Sequence, residues 1–77
     1  MAWITHFEIR DGNGRLQPSR VTGQVKVFDL PDGGPVVQID TFGSAEREIL
    51  GKQSQTIQLG REAARELFDI LRETYRF

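Results

Sequence analysis

The sequence contains no cysteine, a single histidine and no long apolar run. Without cysteine the chain cannot carry disulfides, and His6 alone cannot supply the four Cys or His ligands of a structural zinc ion. No apolar run approaches the ~20 residues that span a bilayer, and the opening Met-Ala-Trp-Ile lacks the basic and apolar regions of a signal peptide. We therefore expect a cytoplasmic protein with no metal, no other cofactor and no membrane contact.

The residue sets that catalysis requires are also missing. There is no cysteine nucleophile, no H-E-x-x-H pattern and no glycine-rich phosphate loop before a helix. His6 fits a solvent-facing strand residue better than a general base. The sequence therefore predicts a protein that is not an enzyme.

The chain is short for a stable fold. Its 77 residues, 38% of them hydrophobic, allow one core, so we expect residues 1–77 to form a single domain. Domains below about 80 residues usually need disulfides, a metal or a partner subunit to become stable. Because the first two are excluded, the sequence favours a homodimer.

Four segments alternate between apolar and polar residues, the pattern of half-buried β-strands. The first segment places Trp3 and Phe7 on the core side. The turn formers of residues 30–35 predict a hairpin connection, and those of residues 11–14 predict a chain reversal. The predicted strands are residues 3–9, 20–28, 36–42 and 53–59.

A helix is predicted for residues 61–75, which are rich in strong helix formers and free of glycine and proline. Gly60 is its expected N-cap. Apolar residues recur every three or four positions and form a stripe wide enough to cover a sheet and contact something else. Strands followed by one helix predict an α+β domain, with the helix packed on one face of a four-stranded antiparallel sheet. The stripe consists of Ala63, Ala64, Leu67, Phe68, Ile70, Leu71 and Tyr75.

The other face of the predicted sheet collects cations, amides, hydroxyls and aromatic rings. These groups suit a single-stranded nucleic acid, because phosphates need cations and unstacked bases need ring faces and hydrogen-bond partners. The net charge is -1, but four cations and one acid between Arg10 and Lys26 give that stretch a local positive charge. The predicted nucleic-acid-binding residues are Arg20, Gln24, Lys26, Phe28, Gln38, Phe42, Lys52 and Thr56.

A simpler explanation of the same pattern is an ordinary solvated sheet face. Any antiparallel sheet with one wet side alternates in this way. In that case Phe28 and Phe42 turn inward or meet a second subunit.

Three stretches together resemble the transcriptional positive cofactor four family and its bacterial relatives: Gln24–Leu30, Val37–Phe42, and Gly51-Lys52 leading into Thr56–Glu62. The resemblance implies a β-β-β-β-α chain with a strongly curved sheet, a homodimer, and binding of single-stranded DNA or RNA with little sequence preference. It assigns the basic position before the last strand to Lys52 and the strand cation to a position near Lys26. Two aromatic positions of the family fall on Leu30 and Gly43, which lack rings.

Two hypotheses of function follow. The first is a non-enzymatic dimer that binds single-stranded nucleic acid on the sheet, as a transcription or DNA-metabolism accessory protein. The alternative is a protein-interaction module or small regulatory subunit that uses the helix stripe or an open strand edge and binds no nucleic acid.

Overall fold

The computed structural model describes residues 1–42 and 53–77, and only the backbone of residues 53 and 54. A four-stranded sheet is followed by one helix, which confirms the α+β class. The predicted bounds of the last strand and of the helix agree with those observed. The elements are β1 (Ala2–Ile4), β2 (Gln24–Leu30), β3 (Gly34–Phe42), β4 (Gln53–Leu59) and α1 (Arg61–Tyr75).

The sheet is mixed, so the prediction of a purely antiparallel sheet was wrong. Its strand order is β1-β4-β3-β2. The pairs β2–β3 and β3–β4 are antiparallel, whereas β1 runs parallel to β4. No tight turn joins β1 to the strand beside it, because β1 is followed by residues 5–23 and β2 at the opposite edge. Its direction is therefore not imposed by a hairpin.

The first two strands are shorter than predicted. β1 ends at Ile4, which pairs with Leu59, the last residue of β4. The residue after Leu59 is Gly60, which already leads into α1. Among the described residues, no strand therefore pairs with residues 5–9, although the Gly60 N–H still donates to the Ile4 carbonyl at 3.3 Å. The chain reversal predicted at residues 11–14 is not a regular turn, whereas the predicted hairpin turn is present at residues 31–33.

Alternation along the strands sorts their side chains as predicted for β2, β3 and β4. We call one side the apolar face, formed by Val25, Val27, Val37, Ile39, Ile57 and Leu59, with Ile4 beside them. We call the other side the polar face, formed by Gln24, Lys26, Phe28, Val36, Gln38, Asp40, Thr56 and Gln58.

Burial within the single chain runs opposite to the expectation. On the apolar face Val25 and Val27 are 64% and 66% exposed, whereas Gln38 and Asp40 on the polar face are only 8% and 7% exposed. The helix is the cause on the apolar side, because it lies against β4 and leaves β2 uncovered. The predicted packing of α1 over the sheet is therefore only partial.

Helix α1 is anchored at its first two turns. Ala63 is fully buried, and Ala64 lines a cleft with Pro35, Val37 and Leu59. The segment after β1 also contacts this end, since the Phe7 N–H donates to Glu66 Oε1 at 2.9 Å. In the later part of the stripe Phe68, Leu71 and Tyr75 are exposed, while Ile70 is half-buried. Among the described residues, no helix is both long and apolar enough to cross a membrane.

The helix ends on a strained residue. Arg76 has φ 62° and ψ 42°, the left-handed conformation, and its N–H donates to the Arg72 carbonyl at 2.8 Å. Glycine adopts this conformation without the Cβ clash that arginine suffers. We expect Arg76→Gly to raise the free energy of unfolding by about 0.5–1 kcal/mol. Urea unfolding followed by circular dichroism tests this, and Glu73→Gly, which places glycine inside the helix, should lower stability instead.

Candidate functional site

One row of polar-face side chains crosses all four strands. Lys26 of β2 lies opposite Gln38 of β3, Gln38 lies opposite Gln58 of β4, and Gln58 lies beside Trp3 of β1. We call these four residues the central row. An ammonium group stands at one end, an indole at the other and two amides lie between them. Lys26 is exposed and Trp3 is 47% exposed.

A second row runs beside the central row. Gln24 pairs with Asp40, and Asp40 pairs with Thr56. Asp40 and Thr56 are 7% and 8% exposed. A carboxylate at this depth is tolerated only if its oxygens are hydrogen-bonded, because burial removes its hydration.

A hydrogen-bond network satisfies these buried groups. Gln38 Nε2 donates to both carboxylate oxygens of Asp40 at 3.1 Å, and Thr56 Oγ1 donates to Asp40 Oδ1 at 2.8 Å. Gln58 Nε2 donates to Gln38 Oε1 at 2.8 Å. Among the described residues, no buried side-chain nitrogen or oxygen lacks a hydrogen-bond partner. We call Gln38, Asp40, Thr56 and Gln58 the Asp40 network.

The carboxylate of Asp40 fixes the orientation of both amides. A carboxylate only accepts hydrogen bonds, so the Gln38 amide must turn its nitrogen toward Asp40. Its oxygen then faces Gln58 and accepts from that amide nitrogen. Gln58 is left with one amide hydrogen and its carbonyl oxygen for other partners, in a fixed arrangement.

The structure brings some of the predicted site residues together. Gln24 and Lys26 are exposed on β2, and Phe28 is half-buried two residues further along the same face, opposite Val36. Phe42 is half-buried at the end of β3, after a register shift. By strand alternation the Phe28 ring shares the polar face with Lys26, whereas the register shift between Thr41 and Phe42 interrupts the alternation that would place Phe42 there.

The other predicted site residues do not join this exposed surface in the described part of the chain. Gln38 and Thr56 are buried members of the Asp40 network, so they support the surface more than they form it. Arg20 is exposed but precedes β2, in the segment without regular structure. Lys52 lies outside the described residues.

Trp3 was misplaced by the sequence pattern, which assigned it to the core side. Its pairing with Gln58 puts it on the polar face, while Ile4 faces the apolar side with Leu59. In a strand of only three residues, either the middle residue or the two outer residues can face the core. The local sequence therefore does not show which side faces the core. The choice depends on the β4 residue opposite each position.

The absence of a side chain at Gly60 lets the Trp3 indole lie close to the backbone there. A Cβ built on Gly60 would lie 3.3 Å from Trp3 Cζ2 and 3.8 Å from Cε2, so the ring edge rests against this bare backbone. Between the indole and β4 is a pocket of about 250 Å³, lined by Met1, Ala2, Trp3, Thr56 and Gln58.

Comparison of the chain with models of protein families, with curated proteins and with solved structures finds no match. The resemblance to the positive cofactor four family is thus untested and stays a prediction from the sequence. Among residues 1–42 and 53–77, no group of three acidic or histidine side chains is arranged to hold a metal ion.

Proposed function

We propose that this protein is a homodimer that binds single-stranded DNA or RNA on its polar face. The observation that carries the proposal is the central row, with a cation, two amides and an indole in line across the sheet. A backbone phosphate near Lys26 and bases near Gln58 and the rings would use the accessible groups of this row.

A flexible single strand fits this surface better than a duplex does. Ring faces are useful only to unstacked bases, and two rings lie on the polar face: Trp3 and Phe28. A duplex keeps its bases stacked and presents mainly phosphate, which calls for a dense array of cations. Lys26 is the one cation on the described strands of this face.

The carboxylate of Asp40 does not oppose this use of the surface. It is buried and accepts hydrogen bonds from Gln38 and Thr56, so little of its charge is exposed on this face. In this proposal the Asp40 network positions the surface, and Gln24, Lys26 and the rings form the contacts.

Dimerisation is supported by the surface left open in a single chain. The accessible area is 7228 Å², whereas a compact monomer of 8.8 kDa exposes about 4,800 Å². The radius of gyration is 14.7 Å, against about 11.5 Å for a compact chain of this length. Residues 5–23, which are almost all exposed, contribute part of this excess. A second copy on the apolar face would cover another part, because Val25 and Val27 are exposed there and stable homodimers bury roughly 1,000–2,500 Å² on each subunit.

A salt titration with a fluorescently labelled oligonucleotide tests the binding. The anisotropy should report binding at low salt, and the logarithm of the affinity should fall linearly with the logarithm of salt concentration. Absence of binding at ~20 mM salt would reject the proposal.

The cation of the central row should contribute one phosphate contact. We expect Lys26→Gln to weaken binding to all oligonucleotide sequences alike and to reduce the salt slope by about 0.7, the value for one phosphate of a single strand. Arg72→Gln removes the same charge from the last turn of α1 and serves as the control. Equal slopes in the two variants would exclude Lys26 from the contact.

A second candidate, a protein-interaction module, is favoured by a different observation. Phe68, Leu71 and Tyr75 form an exposed apolar line along α1. If the homodimer leaves this line open, the helix is available to another protein. Hydrogen exchange of α1 at dimer-forming concentrations separates the cases, because a helix buried in the dimer should be protected.

A further inference from the structure

The pocket between Trp3 and β4 is a concave feature of the polar face with both a ring and polar side chains in its lining. Its volume of about 250 Å³ is smaller than the ~300–1,000 Å³ of typical small-molecule sites. An indole forms one wall, and the side chains of Thr56 and Gln58 line the rest together with Met1 and Ala2. A single planar ring system is the ligand that this size and this wall suit.

The indole is held in place yet remains available. Its Cζ2–Cε2 edge rests on Gly60, where any larger residue would crowd it. Trp3 is nevertheless 47% exposed, so part of its ring is free to stack. A ring that is already positioned loses little conformational freedom when a ligand stacks on it.

The Gln58 amide adds directional hydrogen bonding beside this ring. One of its hydrogens is committed to Gln38 Oε1, which leaves one N–H and the carbonyl oxygen. Neighbouring donor and acceptor groups of this kind are what the edge of every nucleobase presents. The Asp40 network prevents the amide from flipping, because Gln38 must keep its nitrogen toward the carboxylate.

We propose that this pocket is a nucleobase subsite, in which Trp3 stacks on one base of the bound strand and Gln58 hydrogen-bonds to its edge. The inference rests on the proposed binding of single strands and specifies where one base sits. Gly60 acts as a positioning residue for the indole. Both purines and pyrimidines present a donor beside an acceptor, so both can hydrogen-bond to the Gln58 amide. Purines should bind more tightly than pyrimidines only because their stacking area is larger.

Intrinsic fluorescence tests the subsite directly, because Trp3 is the only tryptophan of the chain. Titration of the full chain with an unlabelled oligo-dA strand should quench this emission. A strand of the same length in which every nucleotide is abasic supplies equal phosphates but no bases, and it should leave the emission unchanged. Labelled versions of both strands report total binding by anisotropy in parallel.

Variants separate the subsite from the rest of the face. Trp3→Leu should weaken oligo-dA binding about tenfold, the effect of losing one stacked base, while Trp3→Phe should keep most of the affinity. Gly60→Ala should reduce quenching slightly, because a Cβ 3.3 Å from Trp3 Cζ2 shifts the indole by a few tenths of an ångström. Circular dichroism shows whether each variant is folded. If a variant does not fold, quenching of the wild-type protein still tests the subsite.

The outcomes are distinct. Oligo-dA that binds without quenching Trp3, and with equal affinity for Trp3→Leu, overturns the subsite and leaves the proposed function standing. Equal quenching by the abasic strand also overturns it, because the effect then does not depend on a base. No binding of either strand overturns the proposed function and the subsite together.

Discussion

Replacing Asp40 with alanine is expected to lower the free energy of unfolding by about 3 kcal/mol. The change leaves the Gln38 amide and the Thr56 hydroxyl buried without their acceptor, and each unsatisfied buried group costs about 1–3 kcal/mol. A domain of this size has only about 4–12 kcal/mol of stability. The thermal midpoint should therefore fall by roughly 12–24 °C, measured by circular dichroism.

Two controls make the Asp40 result interpretable. Asp40→Asn keeps the shape and one acceptor oxygen, so it should cost less than Asp40→Ala. Asp11→Ala removes an exposed carboxylate from the segment between β1 and β2 and should change stability by less than 0.5 kcal/mol. If Asp40→Ala and Asp11→Ala unfold at the same urea concentration, the Asp40 network does not stabilise the sheet.

Introducing a carboxylate on the apolar face is expected to weaken self-association more than hundredfold. Val27 is 66% exposed in the single chain, so Val27→Asp costs the isolated fold little. In a dimer closed over this face, the new charge would be buried without a partner, at a cost of about 3 kcal/mol. That corresponds to a more than hundredfold weaker dimer, measured by sedimentation equilibrium.

The control for this experiment carries the same change outside the sheet. Val21 is exposed in the segment before β2, so Val21→Asp should leave the dimer intact. Wild-type protein that remains monomeric at ~100 μM would refute dimerisation, since stable homodimers dissociate far below this concentration. If the Val21 and Val27 variants associate equally well, the dimer interface does not include Val27 of β2.

Loss of the dimer also bears on function. If the polar face of one subunit binds the strand alone, Val27→Asp should keep oligonucleotide binding at low salt. If both subunits contribute, the affinity should fall as the dimer dissociates, because the second contact is no longer at high effective concentration. Anisotropy measured above and below the dimer dissociation constant distinguishes these cases.

Local sequence determined the parts of the fold whose interactions are local. The helix over residues 61–75 has strong helix formers throughout and a sharp start at Gly60, and its bounds agree with the prediction. The strand over residues 53–59 and the hairpin turn before β3 follow from alternation and turn chemistry. Alternation also sorted β2, β3 and β4 into an apolar and a polar face.

Tertiary structure alone decided what depends on distant partners. Whether β1 runs parallel to β4, and hence which face Trp3 joins, is set by pairing between residues more than fifty positions apart. Exposure of Val25 and burial of Asp40 depend on where the helix lies and on which side chains meet across the strands. Periodicity along the chain specifies two faces of a strand, but it carries no information about what covers each face, because burial and hydrogen bonding are properties of the assembled sheet.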